Sequence, residues 1–80
     1  MKWEVDKLHA IWSLNGKLGN GIFYTAKVYL ISIDKWKYNV FVNCKGRVVT
    51  LSHVTDTLLN AKSLSESYIL CETQSNMISI

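Results

Sequence analysis

Residues 22–42, IFYTAKVYLISIDKWKYNVFV, alternate with the period of two that marks β-strands. Ile22, Tyr24, Ala26, Val28 and Leu30 fall on one side, and Phe23, Thr25, Lys27 and Tyr29 on the other. After Asp34-Lys35 the alternation resumes, with Trp36, Tyr38, Val40 and Val42 against Lys37, Asn39, Phe41 and Asn43. One set is apolar and aromatic. The other mixes lysine, amide and aromatic side chains. That contrast separates a core face from a candidate working face.

The register of the two strands can be argued from the same pattern. A two-residue turn at Asp34-Lys35 would pair Ile33 with Trp36 and mix the two sets. A three-residue loop, Ile33 to Lys35, pairs Ser32 with Trp36, Leu30 with Tyr38, Val28 with Val40 and Ala26 with Val42. One face then becomes wholly apolar. A one-residue slip moves every side chain across the sheet, so the odd-length loop is the expected one. The opposite face would set Lys27 by Phe41, Tyr29 by Asn39 and Ile31 by Lys37.

Asn43-Cys44-Lys45-Gly46 reads as a turn, with Gly46 free to take positive φ. Arg47–Leu51 is a third strand, rich in β-formers, which completes an antiparallel meander. Thr57 is the expected N-cap of a helix, with Asp56 and Thr55 as rivals. Leu58, Ala61 and Leu64, with Leu59 beside them, give that helix an apolar stripe, and Ala61 permits a close helix–sheet approach. Lys62, Ser63, Ser65 and Glu66 are expected to face water. Tyr68–Glu72 has strand character, residues 74–76 form a turn, and Met77–Ile80 are read as a last short strand.

Toward the N-terminus the pattern is two-sided. Met1, Val5, Leu8 and Trp12 recur at helical spacing, and Asn15-Gly16 would stop such a helix. The rival is a strand from Leu8 to Leu14. The helix is the preferred reading. Residues 15–21, NGKLGNG, read as a loop, without either glycine spacing that cradles phosphates. The fold class expected is therefore α+β. An antiparallel sheet, made of a three-strand meander and one or two C-terminal strands, carries one packed helix, with a second at the N-terminus.

Eighty residues make one domain, 1–80. A chain this short buries only about 60% of the surface its unfolded form exposes. Its 49% hydrophobic and 19% charged composition is that of a globular protein. No apolar run approaches the roughly 18 residues of a membrane span. Glu4, Asp6 and Lys7 stand where a signal peptide would be apolar, so a cytoplasmic protein is expected. Cys44 and Cys71 lack motif spacing and read as small reduced hydrophobes. Neither cofactor nor metal is expected. His9 and His53 do not combine with the cysteines at a ligand spacing, and the six acids form no paired motif. No catalytic signature is present, and the chain is read as a non-enzyme.

Binding chemistry is better represented. Lys27, Tyr29, Lys37, Asn39 and Phe41 share one expected face, and Lys35, Lys45 and Arg47 lie near its turns. Lysines neutralise phosphates and exposed rings stack on bases, so DNA or RNA is one class of partner. Three tryptophans and four tyrosines suit a protein interface equally, because they bury large areas and keep a polar handle. A strand edge offers a third route, to a homodimer. Should residues 1–14 cover the lysine–aromatic face, the working surface would move to the basic turns around Lys35 and Lys45.

The segment Thr57-Leu58-Leu59-Asn60-Ala61-Lys62-Ser63-Leu64, after a meander and before the strand read at Tyr68–Glu72, is similar to the helix of small ββαβ proteins. Over residues 22–72 the chain resembles phage-encoded inhibitors of host machinery with that layout, including anti-CRISPR proteins and an RNA polymerase inhibitor. The resemblance implies a class only: a viral, non-enzymatic protein that blocks a large host partner by occupying its surface. The expected function is thus inhibition of a host protein or ribonucleoprotein complex. Lys27, Tyr29, Lys37, Asn39, Phe41 and Arg47 are the candidate contacts. The cations would steer and pair, and Tyr29 and Phe41 would anchor.

Overall fold

The computed structural model describes residues 2–19 and 21–78, the last four of these by backbone alone. Five strands form one antiparallel meander in sequence order: β1 (Glu4–Asp6), β2 (Ile11–Lys17), β3 (Ile22–Ser32), β4 (Lys35–Cys44) and β5 (Arg47–Thr55). One helix, α1 (Leu58–Ile78), follows and packs across β4, with flanking contact to β3 and β5. The α+β class, the antiparallel sheet and the packed helix stand as read from the sequence.

The two faces of β3 and β4 also stand. Ile22, Ala26, Val28, Tyr38, Val40, Val42 and Cys44 are buried under the helix. Their register does not. Leu30 pairs with Trp36, Val28 with Tyr38 and Ala26 with Val40, two residues from the expected alignment. The turn has only Ile33 and Asp34 between the paired Ser32 and Lys35, and the register shifts between Leu30 and Ser32. Ile31 is thus the extra residue of a β-bulge. An even turn alone would mix the faces, and the bulge shifts the parity back. Asp34 takes φ 63°, a region short polar side chains tolerate.

The helix expected within residues 1–14 is absent among the described residues, 2–14. They form a hairpin instead, β1 on β2, with Val5 opposite Trp12. Alternation along Trp12 and Leu14 prevails over the helical spacing, because pairing with β3 buries Leu14 almost completely. Asp6 holds the connecting turn. Its Oδ1 accepts the Leu8 and His9 amides at 3.0 and 3.3 Å, and its Oδ2 lies 2.8 Å from His9 Nδ1. The His9 side chain, then the His9 amide, hold the Asp6 carboxyl below its ordinary pKa.

Asn15, Gly16 and Lys17, expected in a loop, belong to β2. The Tyr24 ring lies directly over Gly16, its cross-strand partner, where a Cβ would overlap it. Gly16→Ala should therefore push Tyr24 off its packing and cost about 1–3 kcal/mol in urea unfolding. A loss below a few tenths of a kcal/mol would show that the ring is not seated there. At the β4–β5 turn, Lys45 (φ 55°) and Gly46 (φ 91°) form a two-residue connection of the type whose twist matches the strands. Asn43 Oδ1 accepts the Gly46 amide at 2.9 Å.

Thr57 caps α1, its Oγ1 accepting the Asn60 amide at 3.1 Å. The helix then runs through Tyr68–Glu72, so the strand expected there is absent. Met77 and Ile78 end the helix, and residues 79–80 of the other expected strand lie outside the described residues. A ββαβ order is accordingly not formed among the described residues. The buried stripe is Ala61, Ser65, Ile69 and Thr73, whereas Leu59 and Leu64 are exposed. Ser65 and Thr73 point inward because each hydroxyl is satisfied within the helix. Ser65 Oγ donates to the Ala61 carbonyl at 2.7 Å and Thr73 Oγ1 to the Ile69 carbonyl at 2.8 Å.

Candidate partner-binding face

The helix covers one side of the sheet. On the other side, side chains line up in rows set by the strand register. One row runs Asp6, Ile11, Tyr29, Lys37, Val54 and the next Glu4, Ser13, Lys27, Asn39, Ser52. A third runs Asn15, Thr25, Phe41, Thr50 and a fourth Lys17, Phe23, Asn43, Val48. No helix lies over these rows among the described residues.

The N-terminal aromatics explain why this side stays open. Trp3 and Trp12 turn toward the helix. Trp3 Nε1 donates to Glu66 Oε2 at 2.6 Å, and Lys62 Nζ sits 3.7 Å from the Trp12 ring centroid and 5.9 Å from that of Trp3. A cation over an aromatic face contributes about 0.5–2 kcal/mol, depending on its desolvation. Lys62, Ser65 and Glu66, expected to face water, are instead half-buried or buried here.

Of the candidate contacts, Lys27, Tyr29, Lys37, Asn39 and Phe41 do share the open face. Arg47 does not. It pairs with Cys44, whose side chain is on the helix side, and is exposed at the hairpin end. The direct neighbours also differ from expectation. Tyr29 pairs with Lys37, Lys27 with Asn39 and Phe41 with Thr25, a consequence of the Ile31 bulge.

Asn39 is the centre of a small network. Ser52 Oγ donates to Asn39 Oδ1 at 2.6 Å, and Asn39 Nδ2 donates to the Tyr29 hydroxyl at 3.4 Å. Since that oxygen accepts from Asn39, the Tyr29 O–H proton is free to donate outward. Thr25 Oγ1 donates to Asn15 Oδ1 at 2.5 Å in the next row. Phe41 and Phe23 flank these polar groups with 38% and 48% of their surface exposed. Lys17 Nζ stands 5.6 Å from the Phe23 centroid. Lys17, Lys27, Lys35 and Lys37 make the β2, β3 and β4 strands of the face cationic from end to end, while Glu4 and Asp6 lie at its β1 margin.

Phe23, Lys17, Val48 and Val54 belong to this face and were not among the candidates. Phe23 was legible, because it alternates in phase with Lys27 and Tyr29. Lys17 was not, because the glycines around it read as loop. No group of histidine, cysteine or acidic side chains that could hold a metal occurs among the described residues. Both cysteines are free thiols. Cys44 is buried as a small hydrophobe should be, but Cys71 is exposed. Among the described residues no helix is long and apolar enough to cross a membrane. No protein-family model, no curated protein and no solved structure matches the chain.

Proposed function

We propose that this chain is a small non-enzymatic binding protein that lays its open sheet face on a larger host protein or ribonucleoprotein complex and inhibits it by occlusion. The observation that carries the reading is the uncovered face itself, with lysines and exposed rings around a hydrogen-bonded Tyr29–Asn39–Ser52 centre. The five strands, 3, 7, 11, 10 and 9 residues long, at about 4.8 Å by 3.3 Å per residue make a face on the order of 600 Å². That is at the lower end of the roughly 600–1,000 Å² per partner of a standard protein–protein interface. Phe41 and Tyr29 supply area, and the lysines favour an acidic partner surface. The phage-inhibitor setting rests only on the meander and the capped helix of that resemblance, since residues 68–72 continue α1.

The same lysines and rings favour a second reading, single-stranded nucleic acid, by neutralisation and stacking. Two variants separate the readings. Lys27→Glu with Phe41→Ala should lower affinity for a captured protein partner at least tenfold, while Leu59→Glu on the outer side of the helix leaves it unchanged. Equal capture by both variants would place the working surface elsewhere. Binding of a generic single-stranded oligonucleotide at low salt, lost in Lys27→Glu/Lys37→Glu and weakened steeply by added salt, would favour nucleic acid.

A further inference from the structure

The two edges of the sheet are unlike. β1 is three residues long, carries Glu4 and Asp6, and is flanked by Lys2 and Lys7. Short length and charge are how an edge is protected from pairing with another chain. β5 is nine residues long and ends the sheet on the other side. Its only formal charge is Arg47, at its very start, and the whole chain has no proline to block a ladder. Its pairing with β4 runs without a bulge from Arg47 to Thr55. None of its residues is fully buried, and Val48 and Val54 are each 49% exposed.

The backbone of β5 is ordered so that it can pair with itself. The two-residue turn makes Cys44 and Arg47 the closing hydrogen-bonded pair, so Val49, Leu51, His53 and Thr55 also bond to β4. The N–H and C=O groups of Val48, Thr50, Ser52 and Val54 then point outward, without a strand partner among the described residues. We infer that β5 pairs antiparallel with β5 of a second copy of this chain, about a two-fold axis perpendicular to the sheet at Leu51.

That axis sets Leu51 against Leu51, Thr50 against Ser52, Val49 against His53, Val48 against Val54 and Arg47 against Thr55. Every outward amide group of one copy meets an outward group of the other. Valine packs on valine at both ends of the seam, and no like charges are opposed. Shifting the alignment by two residues in either direction shortens the ladder. One such shift sets Arg47 against His53, and either one leaves a valine without its partner valine. Such a two-fold axis keeps both helices on one side. The ten strands therefore make one continuous sheet with the two open faces side by side. Dimerisation does not depend on what those faces bind.

Sedimentation equilibrium of the full chain tests this. The expected mass is twice 9.1 kDa, with dissociation on dilution. Thr50→Pro removes an outward N–H and leaves the β4 ladder intact. Val48→Lys/Val54→Lys instead opposes lysines across the seam. Whichever of these two keeps the parent circular dichroism spectrum should be a monomer. In a Cys71→Ser background, Leu51→Cys should oxidise to a covalent dimer, because residues facing each other on the axis lie within disulfide reach. Ser52→Cys should not. A wild-type monomer up to millimolar concentration, a folded edge variant that remains dimeric, or equal cross-linking through residue 52 would each overturn the inference.

Discussion

Ile69→Ala is expected to lower the unfolding free energy by about 3 kcal/mol, within the 2–5 kcal/mol that such core truncations cost. Ile69 has none of its surface exposed and belongs to the cluster that includes Val28, Tyr38, Val40 and Ala61. Removing three carbons there loses transfer free energy and leaves a cavity between the helix and the sheet. A domain of this size has only about 4–12 kcal/mol of stability to lose. The midpoint of thermal unfolding should fall by roughly 10–25 °C. The measurement also tests the secondary structure of residues 68–72, whose composition suits a strand. A cost below about 1 kcal/mol would mean that this half of α1 is not docked on the sheet. Leu70→Ala, one position round the helix and 45% exposed, is the internal comparison and should cost far less.

Ala61→Leu is the second large effect. Ala61 is completely buried where α1 crosses the sheet, one turn after the Thr57 cap. The interior is close-packed, so three added carbons must move the helix or force neighbouring rotamers. Overpacking of this kind costs about 1–3 kcal/mol, read as a lower urea midpoint with an unchanged slope. The separation widened at Ala61 would reach Lys62, which holds the Trp12 and Trp3 rings, so tryptophan fluorescence should change in the native state as well. Leu59→Ala, on a side chain 73% exposed, should leave both readings near wild type. Comparable losses at Leu59 and Ala61 would mean that the helix presents a different stripe.

These two positions also show where sequence reasoning reached and where it stopped. Ala61 as the point of close approach and Thr57 as the cap were legible, because each depends on residues within one turn. Leu64 was read as inward and Ser65 as outward, and the structure reverses them. Hydropathy ranks leucine above serine, but a serine that bonds its own helix carbonyl carries no unsatisfied group into the core. Likewise Tyr68–Glu72 has β-favouring side chains, yet it continues a capped helix whose Ile69 finds a buried site. Local propensity is a weak prior when tertiary packing opposes it. At the other end, Val5, Leu8 and Trp12 fit a helix by spacing. The described N-terminal residues became strands because β3 offered β2 a ladder along seven residue pairs.

What the amino-acid sequence determined alone was the pair of faces. Alternation over residues 22–42 assigns each side chain to one side of a pleated strand, and any register that buried the apolar set had to preserve that assignment. The candidates Lys27, Tyr29, Lys37, Asn39 and Phe41 therefore share a face. What only the tertiary structure decided was which neighbours they have and whether that face is open. The Ile31 bulge moved each cross-strand partner by two residues, a change that keeps parity and so leaves no trace in the hydrophobic pattern. The open face depended on Trp3 and Trp12 turning to Glu66 and Lys62. Those contacts join residues fifty or more positions apart, and no local periodicity records them.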